Sequence, residues 1–563
     1  MTTATVDPQK AQSPDERAAL WLRLALIWHA ILVVAGLAGA FWVWQGAETA
    51  VWQKAVFGVL LLGMAGVSGA AVFHINQRRS GGRNLSLAVN YLGFLFALVG
   101  SMHQLNIFVG LDSLADTFTR GLPFLVLVFV GFWVSSQTER FEGDLIRQQQ
   151  VQQVGRAISI LAGIIFLFVV GLLDGLATVP SALSGGWETA VFLTATVLFG
   201  LMVWGMWQQP VADIFRATNA DSEMLNGYLF LSPNLLGFLI FFAGPLILSL
   251  YVSFTDSDAF STPNFIGLDN YAEIFNLDIE PLANATQLAN EVLDVTQYDE
   301  LNRFTIFGQS YIIGAQDRLF WTALGNTLQF VLLAVPLSVI PALFLANLLN
   351  SKVPGMRFFR AVYFLPSVAA VVGIALVWQW LYNATIGYIN YGITLVIDLF
   401  NTIGLPLADP QIRWLSESNT ALLAVIIMAA WQWIGFNTVL FLAGLQNIPR
   451  ALYEAATVDG ATPRQQFWKV TLPLLGPTTF FVVTTTVIQA MQVFEQVFII
   501  MGQNPAGPSN STLTIVLYLY QKGFQRFEQG YASAIAWVLF LLIFAATLVQ
   551  FQRQRTSGSS YES

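Results

Sequence analysis

About twelve runs of some 20 apolar residues, with most charged residues between them, leave this chain little choice of architecture. The runs lie near 22–44, 53–75, 86–109, 121–137, 157–178, 188–208, 227–254, 322–350, 358–382, 419–445, 474–501 and 530–551. Inside hydrocarbon every backbone polar group needs a partner within the protein, so only helices and closed barrels cross. The alternation of apolar and polar residues that barrel strands require is missing. With 55% hydrophobic and 10% charged residues, a water-soluble globule with an ordinary charged surface is excluded. The expected fold class is an all-α polytopic membrane protein.

Basic residues in the short connections set the expected orientation. Arg78, Arg79 and Arg83, then Arg140, Arg147 and Arg156, then Lys352, Arg357 and Arg360 fall on one side, with Arg450, Arg464, Lys469, Arg553 and Arg555. That side is read as cytoplasmic, with both termini there, in a multi-pass membrane protein. Arg413, Lys522 and Arg526 are exceptions in longer outer connections. The first apolar run ends in Phe41-Trp42-Val43-Trp44 and reads as an anchor, not a cleaved leader. The net charge of −8, concentrated outside the spans, gives no sign of nucleic-acid binding. Without cysteine there is no disulfide, thiolate zinc site or thiol nucleophile. His29, His74 and His103 lie on different runs without metal-ligand spacing and are expected to be structural, and the isolated Asp174 has no evident partner. No Walker A loop is present, so ATP hydrolysis would require another chain.

One polar connection has the chemistry of a docking element. Pro449 can open a short helix, and Asp459-Gly460 can close it in a left-handed turn. Ala455 and Ala456 give that helix a face over which a partner can approach the backbone, and Glu454 offers a carboxylate. Thr462-Pro463-Arg464-Gln465 then has the form of a capping box with proline at the first helical position. The spacing Glu454-Ala455-Ala456, three residues, Gly460-Ala461, then Val470 and Leu472-Pro473 resembles the EAA loop of ABC importer permeases, with Val470 where isoleucine is usual.

Further segments resemble the carbohydrate-type permeases of that family: Phe265 to Tyr271, Phe320 to Thr327, Phe359-Arg360 with Phe364-Leu365-Pro366, Trp431 to Phe436, and Ala443 to Pro449. The likeness covers residues 226–552, which would form a six-helix ABC permease core. Residues 1–210 form an amino-terminal block of about six helices with no recognisable chemistry, 211–225 a cytoplasmic linker and 553–563 a cytoplasmic tail. The larger subunit of maltose-type importers is similar in having extra amino-terminal helices and an enlarged outer segment. This chain departs from it with more extra spans and a smaller outer segment.

The resemblance implies a transport subunit of a bacterial or archaeal cytoplasmic (inner) membrane rather than an enzyme, moving an oligosaccharide or disaccharide such as maltose or maltodextrin by alternating access. It implies a second homologous permease, a homodimeric P-loop ATPase carrying ATP and Mg, an extracytoplasmic sugar-binding protein and membrane lipid as partners, with no cofactor on this chain. ATPase docking falls to Glu454, Ala455, Ala456, Asp459, Gly460, Ala461, Val470, Leu472 and Pro473 of loop 447–473. The outer segment 255–319 is rich in carboxylates and reads either as a small folded lobe receiving the binding protein, as its place in the family pattern favours, or as a solvated acidic loop. For the substrate path, Gln489, Gln492, Glu495 and Gln496 have spacings that share one helical face. Trp431, Gly435 and Thr438 join them by their place in the family pattern. Amides that donate and accept, with aromatic rings beside them, suit sugars. A twelve-helix secondary transporter is the rival reading, and a membrane-bound enzyme a further one; neither accounts for the docking loop.

Overall fold

The computed structural model describes residues 14–46, 51–105, 107, 110–137, 145–172, 179, 187–258, 260–284, 286–350 and 355–558. Asp174 lies outside them, as do Arg140 and Lys352. The described chain is mainly helical, with ten helices long and apolar enough to cross a membrane and two bent pairs that would bring the number to twelve. It divides into two compact units, 1–237 and 238–563.

The first unit holds α1 (Pro14–Gln45), α2 (Val51–Asn76), α3 (Ser80–Gln104), α4 (Gly110–Ser136), α5 (Leu145–Val169), α6 (Trp187–Trp207), the short α7 (Gln209–Ile214) and α8 (Asn219–Phe238). Helix α5 begins well before the apolar run expected from residue 157, because its glutamine-rich first turns are good helix formers. The stretch read as a linker is likewise helical on both sides of a turn, where Thr218 N–H donates to Asp221 at 2.8 Å. Lipid gives no hydrophobic drive for helices to associate, so close packing and polar contacts must hold them. Helices α4 and α5 meet through Gly131 and Gly155; a Cβ on Gly131 would stand 2.7 Å from the Gly155 carbonyl. Between α1 and α3 the glue is polar. Trp28 Nε1 donates to Asn90 Oδ1 at 2.7 Å, Asn90 Nδ2 donates to the Ser86 carbonyl at 2.7 Å, and His29 Nε2 lies 2.8 Å from Ser86 Oγ.

The second unit opens with a π turn (Leu239–Ala243) and α9 (Gly244–Val252). A small lobe follows: α10 (Asp269–Phe275), then β1 (Leu277–Leu282), β2 (Asp299–Ile306) and β3 (Gln309–Ala315), an antiparallel sheet in the order β1-β3-β2. Phe307 and Gly308, both at positive φ (50° and 84°), turn the β2–β3 hairpin. Leu282, Leu293 and Ile312 form the lobe's own core. The outer acidic segment is therefore folded, and much of its acidity is used internally. Asp256 accepts from Asn264, Asp258 from Phe260 and Ser261, Asp294 from Thr296, and Glu300 pairs with Arg303 at 2.7 Å. Asp317 ties the lobe to the helices: it caps α11 (Arg318–Leu349) by accepting from Phe320 N–H at 3.0 Å, while its other oxygen accepts from the hydroxyls of Tyr518, at 2.7 Å, and Tyr531.

Around α11 stand α12 (Met356–Val368), α13 (Val371–Leu381), α14 (Tyr388–Thr402), α15 (Ser418–Gln446), α16 (Arg450–Val458), α17 (Pro463–Gln466), α18 (Gly476–Met491), α19 (Glu495–Met501), α20 (Ile515–Tyr520) and α21 (Gln529–Gly558). The central helix is α15, whose neighbours include α11, α12 and α18. Two runs expected to be single spans are not. Run 358–382 folds as α12 and α13, bent by 99°, with Pro366 in the last turn before Ala369 and Ala370 leave the helix. Run 474–501 stops at Met491, and its helix is preceded by a 67° bend.

Two outcomes follow for stability. Gly131→Val should overpack the α4–α5 contact by about 1–3 kcal/mol, seen as a lower thermal midpoint in detergent. In the lobe, hydrogen bonds hold the Asp256, Asp258 and Asp294 carboxyls below the usual range. A depressed folded pKa gives stability that is present above the unfolded value, about 4, and lost as pH falls through the folded values. Amide exchange in 255–317, corrected for intrinsic pH dependence, should therefore accelerate as pH falls below about 4.

Candidate functional site: the Glu-Ala-Ala loop and the polar residues of the core

The loop after α15 is stiff by construction. Helix α16 follows Pro449 and ends in a paired-bond cap, with Gly460 N–H donating to the Thr457 carbonyl at 3.0 Å and Ala461 N–H to the Ala456 carbonyl at 2.9 Å. Gly460 sits at φ 76°, where another residue costs about 1–2 kcal/mol. Thr462 and Gln465 form the expected capping box, with Thr462 N–H donating to Gln465 Oε1 at 2.8 Å. Cross-ties fix α16 against α17. Gln466 Nε2 donates to Thr457 Oγ1 at 2.9 Å, and the Tyr453 and Thr471 hydroxyls meet at 2.9 Å. Phe467 stacks on Phe344 of α11, centroids 6.0 Å apart, so the loop is seated on a long helix of the core.

Glu454, Ala455, Asp459 and Gly460 are exposed, and Ala456 and Ala461 half-exposed. Val458 is 88% exposed, and Leu452 and Trp468 are also bare. No residue of α16 is buried. Val470, Leu472 and Pro473 are half-buried where the loop rejoins the core, through a π turn (Phe467–Thr471) and the 67° bend into α18. Loop residues thus separate into an outward surface and an inward root.

The residues expected to line a path do not form one stripe. Helix α18 ends at Met491, Gln492 takes φ −101° and ψ 14°, and Phe494 lies at φ −141°, so Gln489 and Gln492 precede a break and Glu495 and Gln496 follow it. A single helical face was the wrong geometry. Gln489, Gln492 and Glu495 are nevertheless exposed, whereas Gln496 is buried, its Nε2 3.4 Å from Gln432 Oε1. Gly435 packs against α12, where a Cβ would stand 2.3 Å from the Tyr363 carbonyl, and Thr438 is buried with its hydroxyl donating to the Ile434 carbonyl at 2.7 Å. In this conformation both are packing residues. Trp431 is 42% exposed and begins a row of rings that sequence reasoning missed: Trp378 at 5.6 Å, then Tyr382 at 5.2 Å from Trp378, then Trp414 at 5.3 Å from Tyr382. The row joins α13, α15 and the connection after α14, too far apart in sequence to show as a pattern. Among the described residues no group of three or more His, Asp or Glu could hold a metal.

Residues 334–557 match the family described as binding-protein-dependent transport system inner membrane component. That segment contains the whole Glu-Ala-Ala loop and all seven residues read as a path. The chain is 34% identical over 338 residues to the probable ABC transporter permease protein YesP of Bacillus subtilis, covering 60% of this chain and 93% of that protein. This chain belongs to the ABC importer permease family. It is a multi-pass transport subunit of the inner membrane. It is also 32% identical over 332 residues to the arabinooligosaccharides transport system permease protein AraP of Halalkalibacterium halodurans, covering 59% of this chain and 88% of that permease. A solved bacterial ABC transporter involved in import of the acidic polysaccharide alginate matches at 22% identity and a TM-score of 0.42, covering 58% of this chain and 94% of its own.

The loop's stiffness is open to direct measurement. Thr462→Ala removes the cap, a loss of about 1 kcal/mol, so amide exchange across residues 463–471 should quicken about fivefold; an unchanged rate would show that the cross-ties alone hold the loop.

Proposed function

We propose that this chain is one of two homologous permeases in an ATP-driven importer of oligosaccharides or disaccharides, maltose or maltodextrin among them, and that its Glu-Ala-Ala loop docks on a homodimeric P-loop ATPase. The observation that carries this reading is the loop itself, which is stiff, exposed along α16, seated on α11, and spaced as a family EAA loop. Both termini and the loop are cytoplasmic in this reading, by the distribution of basic residues. The folded lobe of residues 255–317 lies on the opposite side and receives the extracytoplasmic sugar-binding protein. ATP and Mg reside on the partner, and this chain binds no cofactor.

Mechanically, the outward surface of α16 (Glu454, Ala455, Ala456, Asp459, Gly460, Ala461) sits in a cleft of the ATPase, and the root (Val470, Leu472, Pro473) passes its displacement to α18 through the bend. Closure of the ATPase dimer would then rock the core from inward-open to outward-open. Gln489, Gln492 and Glu495 face the path with Trp431, while Gln496, Gly435 and Thr438 hold the helices that present them. The sugar reading is supported by the amide and indole chemistry of that set and by the arabinooligosaccharide permease among the relatives.

In proteoliposomes containing the partner chains, Glu454→Lys and Gly460→Val should each lower ATP-dependent sugar uptake by about tenfold or more, the loss of at least 1.4 kcal/mol of coupling, with normal membrane insertion. Uptake at the wild-type rate in both would contradict the docking role. Gln492→Leu should instead alter the ranking of competing sugars while ATPase assembly persists; an unchanged ranking would remove Gln492 from the path. Transport by the chain reconstituted alone would favour a secondary transporter.

A further inference from the structure

The lobe of residues 255–317 is joined to the membrane helices by paired chain rather than by a tether. Helix α10 runs into β1 and β3 runs into α11, with Leu277 opposite Ala315 in the sheet. Next to the sheet, Gln316 N–H donates to the Asn276 carbonyl at 3.1 Å and Asn276 Nδ2 donates to Gln316 Oε1 at 2.9 Å. Trp321 Nε1 of α11 then donates to the Ile274 carbonyl of α10 at 3.1 Å. Asp317 stands at this junction and is 8% exposed. One of its oxygens accepts from Phe320 N–H and starts α11, and the other accepts from both Tyr518 of α20 and Tyr531 of α21. Lys522, in the turn between α20 and α21, lies 4.7 Å from the Tyr531 ring centroid and pairs with Glu528 at 2.6 Å, closing that turn over the same tyrosine. Asparagine or serine caps a helix as well as aspartate does, so the cap alone does not call for a buried charge. Two hydroxyl donors on one oxygen do, because an ionised carboxylate accepts without donating and forms the stronger, charge-assisted bonds.

Helix α11 carries this junction to the opposite side. It is long and apolar enough to cross a membrane, and Phe344 near its far end stacks on Phe467 of the Glu-Ala-Ala loop. The helix rise puts Phe344 about 36 Å from Phe320. Along that length Ala323, Thr327, Phe330, Ala334, Ser338 and Ala342 are buried, and its main neighbour, α15, itself leads into the loop. Coupling over such a distance needs one element that both sites bias. We propose that Asp317 is a positioning residue for transport: it binds the lobe, α11 and the α20–α21 turn into one body, so that a load on the lobe displaces α11 and, through Phe344, the docking loop. The inference rests on the roles of lobe and loop given under the proposed function, and adds the residue and the helix that connect them. A solute-binding protein seated on the lobe would thus act on the ATPase contact without entering the membrane.

The test uses the full chain in detergent, spin-labelled at Val458→Cys on α16 and Val549→Cys near the end of α21, both exposed positions in a chain without native cysteine. Asp317→Asn keeps an acceptor for the α11 cap and weakens the tie to the tyrosines; it should displace the mean distance between the labels by about 2 Å or more. Tyr518→Phe with Tyr531→Phe, which keeps both rings, should do the same. Neither change should have a further effect in a Phe344→Ala background, where the contact with Phe467 is gone, because sites coupled through one contact are not additive. In proteoliposomes with the partner chains, Asp317→Asn should also lower sugar uptake about tenfold at normal insertion. A distance unmoved in both variants, or moved equally with and without Phe344, would confine Asp317 to a local structural role and overturn the proposal, as would uptake at the wild-type rate. The distances are read in this chain alone, so a wild type that binds no ATPase would overturn the docking reading without altering that result.

Discussion

A backbone carbonyl left without a partner in hydrocarbon costs several kcal/mol, and the second unit is shaped by how it meets that demand where helices stop. Several interruptions are closed by a side-chain donor from another element. The break after α18 exposes the Val493 carbonyl, which accepts from Thr514 Oγ1 at 3.1 Å. Gln379 on α13 donates to the Ile499 and Ile500 carbonyls at 3.3 and 2.7 Å, closing the end of α19. Asn326 on α11 donates to the carbonyls of Asn510 and Leu513, both at 2.9 Å, and Asn270 does the same for Ser253 and Thr255, also at 2.9 Å. Tyr382, buried in the ring row, donates to the Ala424 carbonyl at 2.9 Å. The side chains of Gln379, Asn326, Asn270, Thr514 and Tyr382 are thus committed to protein carbonyls.

That constraint separates the polar residues of the core into two populations. Gln379, Gln432, Gln496, Asn326 and Thr514 face other protein groups, whereas Gln489, Gln492 and Glu495 remain exposed around the break. The break also redirects the chain, presenting the second group from two short helices rather than from one stripe. A residue on such a joint can move without a long helix having to move with it. At the other end of α18 the bend after Leu474 does the same for the Glu-Ala-Ala loop, whose internal bonds make it a rigid body joined to the core through Leu472 to Gly476.

The sequence showed a good deal of this in advance. Apolar run length located the spans, and the capping box at Thr462 and the glycine stop at Gly460 could be read residue by residue, because such caps are local chemistry. A folded lobe was one of two readings of the acidic segment, and it holds a three-stranded sheet, with Glu300 on the sheet and Asp256, Asp258 and Asp294 in its connections satisfied at short range. What escaped were features fixed by tertiary contact. The 99° bend between α12 and α13 and the break at Gln492 lie within runs apolar enough on average to read as single spans, and mean hydropathy does not distinguish a straight helix from a broken one. Gly435 and Thr438 fitted the family pattern for a path, yet only their packing against Tyr363 and the Ile434 carbonyl shows their structural use here. The ring row from Trp431 to Trp414 and the meeting of Tyr518 and Tyr531 on Asp317 bring together residues distant in the chain.

The absence of cysteine makes site-specific cross-linking clean, and the most direct measurement uses it. Val458→Cys, at a position 88% exposed on α16, would carry a short thiol-attached photo-cross-linker, activated in native membranes, and the products would be identified by mass spectrometry. The account predicts a cross-link to a P-loop ATPase whose yield changes when ATP is added. Cross-links to lipid or to copies of this chain alone, with no ATPase found in either nucleotide state, would contradict it.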